Sequence, residues 1–205
     1  MPRDAQMAAE PPKRLIVGIS GASGVIYGIR LLEMLAPTPI ETHLVMSRSA
    51  EITAAHETDW KIADIRALAD VYHRCEDIGA GISSGSFRTM GMVIAPCSIR
   101  SLSEIATGVT SSLLTRAADV VLKERRKLVL MVRETPLHLG HLRTMTAAAE
   151  LGAIVCPPVP AFYAMPETID DMVAHTLGRV LDQFDLDLGT VRRWKEEPTV
   201  LQDGR

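Results

Sequence analysis

The first segment equipped for chemistry is Gly18-Ile19-Ser20-Gly21-Ala22-Ser23-Gly24, which lies between an apolar run and a stretch of helical periodicity. A turn in that position exposes backbone N–H groups and the positive end of the next helix, a setting for a phosphate or an anionic ring edge. Its glycines are three apart, so it is not the GxGxxG dinucleotide fingerprint, and no Gly-Lys-Ser/Thr makes it a Walker A loop. A ligand-facing loop is expected, with a purely structural turn as the alternative. Ser47 ends the next apolar run, where a nicotinamide enzyme would carry a carboxylate for the ribose. A hydroxyl there suits a mononucleotide instead. Ser83-Ser84-Gly85-Ser86 and Pro96-Cys97-Ser98 offer further hydroxyls and N–H groups.

A second group is ionic. Arg133 follows the apolar run 128–132 and is itself followed by Glu134. A cationic fork beside a carboxylate at a strand's end suits anion binding with proton handling. Arg116 and Lys123 are weighed with it, against the alternative of surface ion pairs. Arg125, Arg126 and Lys127 read as solvated charges at a helix end, where the dipole favours them. His138 and His141 could begin a metal site, but no third ligand has compatible spacing, so no metal is expected. Cys97 is either a nucleophile in a Pro-Cys-Ser turn or a small buried thiol. Glu57 is ambiguous, and Tyr163 sits in a Pro-bounded aromatic loop that covers a pocket or simply packs.

The elements that must position these groups follow from periodicity. Short apolar runs at 14–19, 40–46, 90–95, 128–132 and 153–156, with a brief 71–73, read as strands. Helices are expected over 25–35, from 49, within 59–70, and over 98–106, 110–125 and 141–151, with a last one from Pro166 to about Phe184. Pro96 is expected to end its strand, and Gly152 to cap its helix. Continuous apolarity, rather than alternation, implies strands covered on both faces: a three-layer α/β domain with a mostly parallel sheet and its functional loops at the carboxyl edge.

The 205 residues, 47% hydrophobic and 23% charged with a net charge of −3, fit one globular domain. No basic excess points to nucleic acid. Cys75, Cys97 and Cys156 are odd in number and dispersed, which favours a reducing, cytoplasmic setting over a disulfide framework. No run approaches the ~20 apolar residues of a membrane span.

Together, the Gly18–Gly24 segment with Tyr27-Gly28-Ile29-Arg30-Leu31-Leu32, Ser84-Gly85-Ser86-Phe87, Ala95-Pro96-Cys97-Ser98, the run 116–126, Val132-Arg133-Glu134-Thr135-Pro136-Leu137 and Pro160-Ala161-Phe162-Tyr163 resemble the flavin prenyltransferase family. Its members are partner enzymes of prenyl-FMN-dependent decarboxylases in ubiquinone and aromatic-acid metabolism. The resemblance implies a flavodoxin-like fold, FMN as cofactor and acceptor, and a homo-oligomer, typically a dodecamer with sites between subunits. It implies transfer of a dimethylallyl group from dimethylallyl monophosphate to N5 and C6 of reduced FMN without metal, the product passing to a decarboxylase. A domain over 13–188 is expected, with a tail at 1–12 and an extension at 189–205.

Carried onto this chain, the resemblance puts Gly21, Ala22, Ser23, Ser47, Ser86, Ser98, Arg116 and Arg133 at the flavin. Ser23, Glu57, Lys123 and Glu134 are its catalytic candidates. Lys123, Arg133, Tyr163 and Arg179 would grip the prenyl phosphate, the last two from a neighbouring subunit, with Ala22, Met92 and Trp194 as apolar lining. Ile78 or its neighbours stand where some members carry tryptophan. Two rivals are an FMN-dependent cysteine decarboxylase, which has no use for a triple-cation phosphate grip, and a non-catalytic FMN-binding subunit, for which Lys123, Arg133 and Glu134 would be dispensable.

Overall fold

The computed structural model describes residues 12–194. Residues 1–11 and 195–205, which carry most of the expected N-terminal tail and the end of the expected extension, lie outside them. Six strands form one sheet: β1 Arg14–Ile19, β2 Glu41–Met46, β3 Val71–His73, β4 Gly91–Cys97, β5 Lys127–Val132 and β6 Ile154–Val155. All pairings are parallel, in the order β3-β2-β1-β4-β5-β6. The helices are α1 Ile26–Leu35, α2 Arg48–Glu57, α3 Ile62–Ala67, α4 Ile99–Thr107, α5 Leu113–Lys123, α6 Leu139–Glu150 and α7 Ile169–Asp182.

Because side chains alternate across a strand, each strand feeds two cores. Leu15, Val17, Ile19, Leu44 and Met46 pack with Ile29, Leu32 and Leu177 on the α1/α7 face. Ile16, Val45, Met92, Ile94, Leu128 and Leu130 pack with Leu114, Ala117 and Val121 on the α4/α5 face. Helix α1 seats directly on the sheet because Gly28 has no side chain; a Cβ there would lie 2.5 Å from the Ala95 carbonyl oxygen. Strand order reverses between β1 and β4, and the loops leaving these two strands part around a crevice, the usual ligand position in such sheets.

Several boundaries differ from the sequence reading. Pro96 does not end β4 but lies within it, after a cis Ala95-Pro96 bond and at a register shift between Ile94 and Cys97. A bulge is where a parallel strand tolerates a residue without an N–H. Met92, expected as a pocket lining, is wholly buried under Gly18. Helix α6 starts at Leu139 with His138 as its cap, and α7 starts after Thr168, which exchanges a reciprocal capping box with Asp171. The segment after 188 turns back along α7. Thr190 and Val191 sit over Gly178, where a Cβ would come within 2.5 Å of each, and Arg193 pairs with Asp182 and Asp187. No helix among the described residues is long and apolar enough to cross a membrane.

Candidate active site

The crevice is a cleft of about 460 Å³ walled by the Gly-rich loop and by the starts of α2, α4 and α5. Each helix start is capped by a serine that lines the cleft. Ser47 Oγ accepts from Ala50 N at 3.1 Å, Ser98 Oγ from Ser101 N at 3.2 Å and Ser112 Oγ from Thr115 N at 3.4 Å. The serine satisfies one first-turn N–H per helix, and in α5 Leu113 N also reaches Cys75 O at 2.8 Å; the three positive helix ends still converge on one space. Gly21 lets the loop touch α2, since a Cβ would fall 2.2 Å from Ser49 Cβ. Arg48 and Arg100 add cationic charge. Burial alone would raise the Glu104 carboxyl, but hydrogen bonds from Ser111 and Arg100 outweigh it and hold the group below the usual carboxylate range.

Ser20 ties the two walls together. Its buried hydroxyl donates to the Pro96 carbonyl at 2.8 Å and accepts from Ser98 N at 2.7 Å, while its own N–H reaches the same carbonyl at 3.2 Å. The loop leaving β1 and the start of α4 therefore form one rigid frame. On the loop's outer side, α1 has no side-chain cap of its own. Glu57, at the end of α2, supplies one from a distance: its Oε2 accepts from Gly24 N at 2.8 Å and from Val25 N at 3.3 Å. The geometry thus makes Glu57 a brace for the loop that carries Ser23, which is itself exposed.

Arg133 and Glu134 leave β5 at this same edge. Arg133 N donates to Cys97 O at 3.0 Å, extending the β4–β5 ladder, and Glu134 Oε1 accepts from Thr135 N at 3.0 Å. Burial raises the phenol of Tyr27, and the charge of Arg133 works against that rise. Ala22 is half-buried in the loop. Arg116 lies on the first turns of α5 but points along the helix, pairing with Asp119 at 2.7 Å.

Other expected site residues lie elsewhere. The connection from β3 must recross the sheet before β4 starts, and it delivers the 84–87 turn to the amino edge, beside Arg14 and Arg126. Ser86 is there, and so is Lys123, whose ammonium pairs with Glu124 at 2.5 Å. Arg133 follows the far end of β5, roughly 16 Å away along the strand at ~3.3 Å per residue. Tyr163 stands in an exposed loop, edge-on to His175 at 5.6 Å and to Trp194 at 5.5 Å, while Arg179 on α7 pairs with Asp182 at 2.5 Å. Ile78, 66% exposed, lines the cleft. One protomer therefore unites Gly21, Ser23, Ser47, Ser98, Glu57, Arg133 and Glu134 at one edge, and holds Lys123 and Ser86 at the other.

His138 spends its Nδ1 lone pair on Gly140 N and His141 N, as a helix cap does. Among the described residues no group of His, Cys, Asp and Glu is placed to hold a metal ion. Cys97 is fully buried and its thiol is pushed up to about 12 by desolvation, which makes it an inert core residue. Sequence reasoning missed Ser20, the Ser112 cap and the clamp formed by Arg126. The signal for Ser112 was present, since Thr115 three residues on completes a capping box; Ser20 and Arg126 act across the fold and left no local trace.

A doubly wound sheet with three helix starts and a hydroxyl-lined cleft at its switch point defines a nucleotide-binding α/β protein. Its volume and chemistry fit FMN: helix ends and serines for the phosphate and ribityl chain, Leu114 and Ile78 for an apolar ring. The family model described as Flavoprotein matches residues 4–181. Flavin prenyltransferase UbiX of Escherichia coli K12 is 65% identical over 177 residues, covering 86% of this chain and 94% of that protein. Among solved structures, AnUbiX (PadA1) in complex with FMN and dimethylallyl pyrophosphate superposes with a TM-score of 0.88 at 48% identity, covering 90% of this chain and 98% of that one. A dodecameric FMN-dependent UbiX-like decarboxylase from Escherichia coli O157:H7 gives 0.87 at 51% identity, covering 89% and 99%. The chain belongs to the Flavoprotein family and, within it, to the flavin prenyltransferases, enzymes that use FMN.

Proposed function

We propose that this enzyme transfers the dimethylallyl group of dimethylallyl monophosphate to N5 and C6 of reduced FMN without a metal, and that a prenyl-FMN-dependent decarboxylase in the same cytoplasm takes up the product. What supports the reading is that Arg133 and Glu134, a cation and a carboxylate side by side, leave β5 at the sheet edge where the flavin-type cleft opens, Arg133 N bonding Cys97 O one residue before the cleft-lining Ser98. Reduced FMN, when bound, supplies the nucleophilic ring atoms.

Ionising an allylic phosphate leaves negative charge on the phosphate, and donors fixed around that position lower the barrier most when water is excluded. Arg133 grips this phosphate from the cleft side, and Tyr163 donates a hydrogen bond. Lys123 and Arg179 complete the grip. Glu134, exposed at the same sheet edge, receives the proton lost from the ring carbon, with Ser23 of the Gly-rich loop as relay. Glu57 keeps Ser23 in place by holding the loop at Gly24 and Val25.

Lys123 and Arg133 cannot meet within one chain, so the grip is assembled between subunits. The dodecameric relative and the exposed Leu139, Leu142, Phe162, Met165 and Ile169 of this chain support such an assembly. Anaerobic incubation of the purified enzyme with reduced FMN and dimethylallyl monophosphate, with chelator present, should add one C5H8 unit to the mass of the extracted flavin. Unchanged flavin after confirmed FMN binding overturns the reading. Product with the diphosphate alone overturns the choice of donor but keeps prenyl transfer.

A further inference from the structure

Arg126 lies three residues after Lys123 in a run that reads as solvated charge, yet its side chain is only 17% exposed. The end of α5 explains why. Arg125 N reaches Leu122 O and Arg126 N reaches Val121 O, the paired bonds of a Schellman ending, with Arg125 at φ 54° where glycine is usual. This reversal throws Arg126 back across the amino edge of the sheet. Its Nη2 donates to Gly85 O at 2.7 Å and its Nη1 to Phe87 O at 2.7 Å. One planar fork thus spans two carbonyls of the 84–87 turn, which a lysine has no geometry to do.

The turn is gripped from other sides as well. The Phe87 ring lies under the Arg14 guanidinium at 4.6 Å and edge-on to His43 at 5.1 Å. The hydroxyls of Ser84 and Ser86 stand 3.0 Å apart. The turn also abuts Lys123, since a Cβ on Gly85 would come 2.6 Å from the lysine Nζ and 2.2 Å from Glu124 Oε1. A short Ser-Gly-Ser turn at a sheet edge is ordinarily among the loosest parts of a fold. Here it is fixed on several sides next to an ammonium.

We infer that Arg126 is a positioning residue that locks the 84–87 turn against Lys123, so that the ammonium and the serine hydroxyls reach a second subunit as one preformed anion-gripping unit. The inference rests on the reading that Lys123 grips the donor phosphate. Arg126 touches no substrate itself; it removes the freedom that the turn and the lysine would otherwise lose on binding.

The test is steady-state prenyl transfer by the full-length enzyme, with FMN affinity, oligomer size and melting temperature measured in parallel. Arg126→Ala should raise the KM for dimethylallyl monophosphate about tenfold, the loss of one charge-assisted contact. FMN affinity, set in the cleft at the opposite edge, should stay within about twofold, and Arg126→Lys should recover only part of the loss. Gly85→Ala keeps Arg126 but crowds Lys123 and Glu124, and should also raise the donor KM. Wild-type donor KM in Arg126→Lys and Gly85→Ala, while Lys123→Ala raises it, overturns the role of Arg126. An equal loss of donor and FMN binding in the Arg126 variants overturns it too. A Lys123→Ala enzyme with unchanged donor KM overturns the underlying reading instead.

Discussion

Replacing Ser20 by alanine separates the frame of the cleft from everything else in it. The hydroxyl serves two partners, Pro96 O at 2.8 Å and Ser98 N at 2.7 Å. The losses are unequal, because Pro96 O keeps the Ser20 N–H while Ser98 N has no second acceptor. The cost is therefore one orphaned backbone donor in a half-buried place beside the cleft, about 1–2 kcal/mol. At roughly 2–4 °C per kcal/mol for a domain of this length, the melting temperature should fall by about 2–8 °C. Without the tether the start of α4 shifts against the Gly-rich loop, and FMN should bind about tenfold more weakly, equivalent to ~1.4 kcal/mol. Calorimetry and a flavin fluorescence titration measure both. A melting temperature within about 1 °C of wild type, with unchanged FMN affinity, would refute the claim that this hydroxyl couples the two walls.

Gly21→Ala should abolish FMN binding while leaving secondary structure intact, since its Cβ would fall 2.2 Å from Ser49 Cβ and force the loop off α2; equilibrium dialysis against FMN checks it. The pH dependence has a defined sign. Burial lowers the imidazole of His43, against the pull of Glu41, and burial with the charge of His43 lowers His73. The unfolded chain therefore binds more protons below the ordinary histidine value of 6.5, so stability is full above that pH and drains away as the pH falls beneath it. Urea midpoints at about pH 7.5 and 5.5 should drop toward acid, and a flat or rising series would contradict buried neutral imidazoles. The Cys97 thiol, pushed up to about 12, should resist iodoacetamide in native protein and react only after denaturation, as peptide mass mapping will show.

The layered fold was legible because its strands are unbroken apolar runs: β5 differs from expectation only by Lys127 at its start, and α1 by one residue at its own. What failed depended on distant partners. Pro96 reads locally as a terminator, and only the bulge against β5 lets the strand continue through it. Met92 looks no different from a pocket residue until Gly18 is found beneath it. Ser47 and Ser98, which cap α2 and α4, stood out as hydroxyls directly after apolar runs, a signal local in sequence. Ser86 kept its chemistry in the reading but not its place, because nothing in the long connection after β3 marks where the chain recrosses to the amino edge. Arg126 reads locally as a solvated charge because its carbonyl partners lie 39 and 41 positions away.

The opposition of Lys123 and Arg133 across the sheet has a consequence for populations of unlike chains. If each site draws these two groups from different subunits, a chain lacking Lys123 and a chain lacking Arg133 are each inactive alone but mend one another when co-assembled. In an evenly mixed assembly about a quarter of the sites receive both intact sides. Two defective alleles in one cell would then complement, and a single defective allele would spoil sites belonging to its healthy neighbour.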